Sequence, residues 1–176
     1  MTAPTDRLLH FYCGSGTGMH GRAFDDILRF EDAQLERLHD YIQWLFPTVS
    51  ASRFSPDAPT LDRASALKLR SDPVAQQRLH AALVRILAFY GLELDDSDPE
   101  YPEVLPAKDF DARARSWLTK GNHNYRRLTR ILESLCVLNQ RTTALALFRR
   151  LDNLYRTGYE ARIGQQTLAH WSRQVE

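Results

Sequence analysis

The run Asp25 to Pro47, DDILRFEDAQLERLHDYIQWLFP, constrains this chain more than any other stretch. Leu28, Leu35, Leu38, Ile42 and Leu45 recur at steps of seven, three, four and three, which places them on one face of an α-helix. Phe30, Tyr41, Trp44 and Phe46 widen that face with aromatic area. A surface this apolar needs other helices to cover it. Asp25 is the expected N-cap of a short first helix, and Glu31 and Asp32 start a second, longer one after a bend. Pro47 lacks a backbone donor, so that helix ends at or before Phe46.

The rest of the chain supplies the cover. Leu8, Leu9, Phe11 and Tyr12 form an apolar N-terminal segment, followed by a glycine-rich loop at Gly14 to Gly18. Thr48 to Pro59 reads as an irregular loop, and Thr60 caps a short helix through Arg70. Asp72-Pro73 is a start signal, with Asp at the N-cap and Pro at the first helical position. The helix it opens buries Leu79, Leu83, Ile86, Leu87 and Tyr90, and Gly91 closes it. Leu92 to Pro106 reads as a long acidic connector. Three further helices follow: Lys108 to Thr119 with Phe110, Ala114, Trp117 and Leu118 inward; His123 to Leu138 with Leu128, Ile131, Leu132, Leu135 and Leu138 inward; and one from Thr142 or Thr143 with Leu145, Phe148, Leu151 and Leu154 or Tyr155 inward. Ile163, Leu168 and Trp171 suit a last helix. No segment shows convincing β alternation. The predicted class is all-α, an irregular bundle of about six to eight helices.

A chain of 176 residues suits one compact domain. We expect a single domain over 1–176, with a core at about 11–151 and a helical extension over 152–176. No run of ~18 apolar residues is present, so no transmembrane segment is expected. The N-terminus lacks the pattern of a signal peptide, and the two cysteines, Cys13 and Cys136, fit a reducing compartment. These point to a cytoplasmic protein. Net charge is uneven: residues 1–107 carry −6 and residues 108–176 carry +7. A basic half suits an acidic partner; complementation within one fold accounts for it as well.

Signatures of chemistry are sparse. GSGTG lacks a following Lys-Ser/Thr and a β-α-β setting, so it is no phosphate-binding loop. His10, Cys13 and His20 lack the paired spacing of a zinc site. No nucleophile motif, His-Glu-x-x-His or carboxylate pair appears, and the reading leans away from an enzyme. No cofactor is implied. Two polar groups interrupt the apolar pattern. His39 and Gln43 are four residues apart in the central run, with Asp40 between them. His123, Arg126, Arg127 and Arg130 line one side of their helix, beside Asn124 at its start. Guanidinium groups there suit carboxylate or phosphate. The candidate ligand-binding set is therefore His39, Gln43, His123, Asn124, Arg126, Arg127 and Arg130. Internal pairing of these groups, with Asp40 and Glu36 as candidate partners, is the competing structural reading.

DDILRF and LERLHDYIQWLFP, followed by SPDAPTL (Ser55 to Leu61), LRSDP (Leu69 to Pro73), LAFYGL (Leu87 to Leu92) and HNYRRLTRILESL (His123 to Leu135), resemble the conserved N-terminal region of the opioid growth factor receptor family. The resemblance runs from about Phe11 to Leu151. It implies a helical fold and a receptor-like binding domain with a peptide or protein partner. Animal members of that family are associated with the nucleus and its periphery and carry long repeat extensions after this region. The alternatives are a binder of anions, nucleotides or nucleic-acid phosphates using the His123–Arg130 face, and an enzyme with a His-Arg site.

Overall fold

The computed structural model describes residues 4–51 and 58–176. Within them the chain is helical apart from one small hairpin, and it divides into two compact units, residues 1–85 and 86–176.

The first unit opens with α1 (Pro4–Cys13), so the apolar N-terminal segment is a helix. The Asp25–Pro47 run then folds as three short helices: α2 (Phe24–Leu28), α3 (Asp32–Arg37) and α4 (Ile42–Leu45). The expected second, longer helix is thus broken at Leu38, whose backbone is extended at φ −86°, ψ 140°. Neither Gly nor Pro marks that break. A side-chain bond spans it instead, from the Tyr41 hydroxyl to the Leu35 carbonyl at 3.0 Å. The cap of α2 differs from the expected Asp25, whereas α3 starts at Glu31 and Asp32 as expected. α2 starts after Ala23, whose N–H is taken by the Asp26 carboxylate at 2.9 Å. α3 starts after Glu31, whose N–H donates to Gln34 Oε1 at 2.9 Å. These side chains reach back to satisfy N-terminal amides that have no helical partner.

Phe11 is the hub of this unit's core. Its ring meets Tyr12, Phe24 and Trp44 with centroids 5.2–6.0 Å apart. Of the expected loop Thr48–Pro59, residues 52–57 lie outside the described residues; the Leu61 N–H bonds back to the Thr48 carbonyl across them at 2.9 Å. α5 (Arg63–Ser71) packs against α1. Its cap is Asp62, accepting from Ser65 N–H at 2.7 Å, rather than Thr60. α6 (Pro73–Tyr90) begins as expected, with Asp72 Oδ1 accepting from Val74 N–H at 2.9 Å.

The unit boundary falls inside α6. Gly91 ends the helix at φ 73°, a conformation costly for residues with a side chain. A Cβ here would also lie 2.9 Å from the Phe110 Cα. The acidic connector then proves to be a hairpin: β1 (Leu92–Asp95) pairs antiparallel with β2 (Glu103–Pro106), Leu92 opposite Pro106 and Asp95 opposite Glu103. Its excess of carboxylates hid a short alternation, Leu92 and Leu94 against Glu93 and Asp95.

α7 (Phe110–Trp117) buries Phe110, Ala114 and Trp117 as expected, and the Trp117 indole N–H donates to the Tyr90 carbonyl at 3.0 Å. Asn122 caps α8 (Asn124–Val137), accepting from Asn124 N–H at 2.9 Å. α8 buries all five predicted residues, Leu128, Ile131, Leu132, Leu135 and Leu138 at its end. α9 (Arg141–Leu154) buries Leu151 and Leu154 as expected, but Ala144 and Leu147 are buried where Leu145 and Phe148, expected inward, are half-buried. Small Ala144 reads weakly in a hydrophobic pattern yet is wholly buried, because α9 packs at once against α8, β2 and the C-terminal helix. After a π-turn at Tyr155–Tyr159 come α10 (Glu160–Ile163) and α11 (Gln165–Val175). α11 packs on both α8 and α9, and Trp171 is wholly buried. The C-terminal segment is therefore part of this unit's core.

Candidate functional site

The first polar group lies around the α3–α4 break. His39 is exposed, whereas Gln43 is buried. With its amide oriented to suit its surroundings, Gln43 donates to the carbonyls of His39 at 3.1 Å and Asp40 at 3.3 Å. It thereby satisfies backbone acceptors that the broken helix leaves open. Asp40 receives Arg22 Nη1 and His20 Nε2, each 3.2 Å from its Oδ2. Trp44 carries the Arg7 guanidinium over its ring at 5.3 Å and lies against Gly18, where a Cβ would come within 2.9 Å of the indole. Tyr12 donates its hydroxyl to the Leu45 carbonyl, and burial raises its pKa far above the ordinary phenol value. The run HDYIQWLF thus ties α1, the Gly14–Arg22 loop and α3 together.

The other groups weighed for chemistry here are also engaged. His10 Nδ1 lies 2.9 Å from Ser15 Oγ, and the amides of Ser15 and Gly16 both donate to the His10 carbonyl at 3.0 Å. The glycine-rich loop spends these donors on ending α1. Cys13 donates to Asp72, and its thiol pKa is raised by burial and by that carboxylate. Among the described residues, no three His, Cys, Asp or Glu converge to hold a metal ion.

The second group lies on α8, where burial divides residues that helical spacing lined up. His123 and Arg126 are exposed, Arg130 is half-buried, and Asn124 and Arg127 are buried. Asn124 Oδ1 accepts from Arg127 Nη1 at 3.0 Å and from the Tyr90 hydroxyl at 3.2 Å. A guanidinium carried into the interior needs such acceptors, since an unpaired buried charge costs several kcal/mol. Arg130 has Glu133 one turn along as its counter-charge. Burial lowers the Arg130 pKa against that attraction, and raises that of Glu133. The pair is therefore held in a partly desolvated setting.

A feature that the sequence reading missed lies in the same unit. β2 and α9 border an open groove of about 200 Å³, lined by Glu103, Val104, Arg149, Arg150 and Asn153 among others. Arg150 Nε donates to the Val104 carbonyl at 2.6 Å, and its Nη1 lies 3.3 Å from Asn153 Oδ1. The i, i+3 and i+4 spacing of these α9 residues was the available signal. It was silent without the hairpin that forms the opposite wall.

The architecture of the described residues defines a class: a helical module with one short hairpin, knitted in its first unit by a polar-aromatic motif. Its family follows from comparison. The opioid growth factor receptor conserved region matches residues 7–168, and the chain belongs to that family. It is 37% identical to the opioid growth factor receptor of Mus musculus over 102 residues, 57% of this chain and 15% of that protein. The Rattus norvegicus receptor is 36% identical over 120 residues, 66% of this chain and 20% of its own length. Opioid growth factor receptor-like protein 1 of Xenopus tropicalis is 34% identical over 102 residues, 58% of this chain and 19% of its own. The matched region is thus about a fifth or less of each relative. No solved structure matches the chain.

Proposed function

We propose that this chain is a peptide- or protein-recognition module. The observation that supports the reading most is its membership in the conserved region of a family whose relatives are named as receptors. That name makes opioid peptides the first ligands to titrate. Of the sequence-derived candidates, His39, His123 and Arg126 are the exposed side chains; Gln43, Asn124 and Arg127 contribute by holding the scaffold. The test is peptide-display selection against the purified full chain, followed by titration of the enriched sequences as free synthetic peptides. A reproducible motif that binds in free form supports the reading. Independent selections that enrich no sequence able to bind as a free peptide overturn it.

A further inference from the structure

We draw no further inference here: the strongest candidate, the outer face of α6 that exposes Val74 and Val84, carries nothing because nothing in the structure shows what covers it.

Discussion

Asn124 carries more consequence than any other polar residue of the second unit. Its side-chain oxygen serves both Arg127 and the Tyr90 hydroxyl, and all three residues are buried. Asn124→Ala should therefore cost about 3 kcal/mol in chemical denaturation, because one loss strips acceptors from a buried cation and a buried phenol. Arg126→Ala, on the exposed side of the same helix, should stay within about 0.5 kcal/mol of the parent. Equal losses for the two variants would show that burial does not separate scaffold from surface on α8. Tyr125 is the opposite case. Its hydroxyl is buried without a hydrogen-bond partner, and burial pushes its pKa up to about 12 against the nearby Arg162. Tyr125→Phe should leave the melting temperature equal or raise it, since it removes a polar group whose desolvation nothing repays. A clear drop would reveal a partner for that oxygen.

At the scale of elements, the hairpin shows how a turn is stabilised among like charges. Ser97 donates to Asp95 Oδ1 through its hydroxyl at 2.7 Å and its backbone N–H at 3.1 Å. These bonds favour the ionised carboxylate and hold its pKa below the ordinary value. The sign follows from linkage. A carboxyl whose folded pKa is depressed stabilises the fold above its unfolded pKa, and that contribution is lost as pH falls through the folded value. Ser97→Ala removes the larger bond. The Asp95 titration followed by carboxyl NMR should then move toward the ordinary range, with a weaker effect of acid on hairpin order. An unchanged titration would mean the hydroxyl bond is not formed in solution. Among helices, amphipathic periodicity revealed α6 and α8 well because each presents a dominant apolar stripe. It described α9 less well because three neighbours share that helix.

At the scale of the whole molecule, α11 gives the sharpest expectation. The Trp171 indole N–H donates to the Tyr125 carbonyl at 3.1 Å, and its ring meets that of Tyr125 edge-on at 5.6 Å. Arg141 at the start of α9 bonds the Val175 carbonyl at 2.6 Å. Trp171→Ala should cost about 3–5 kcal/mol. Truncation after Gly164 should abolish cooperative unfolding of the second unit, read by calorimetry and near-ultraviolet circular dichroism. A truncated chain that retains that transition would make α11 an appendage.

The amino-acid pattern alone determined the helical class, the family resemblance, the Asp72-Pro73 start, the Gly91 stop and the buried faces of α7 and α8. Each depends on local geometry: a cap, a left-handed turn, or apolar residues returning every three to four positions. Three features were decided only by tertiary structure. Leu38 is extended at a break that buries both Leu35 and Trp44, the latter against Phe11 of α1, while Tyr41 and Gln43 satisfy the carbonyls around it. β1 and β2 form because Leu92 and Val104 bury together, which outweighs a carboxylate-rich turn. The polar candidates separate into scaffold and surface because helical spacing says which residues share a side, while neighbouring elements decide which of them lose contact with water.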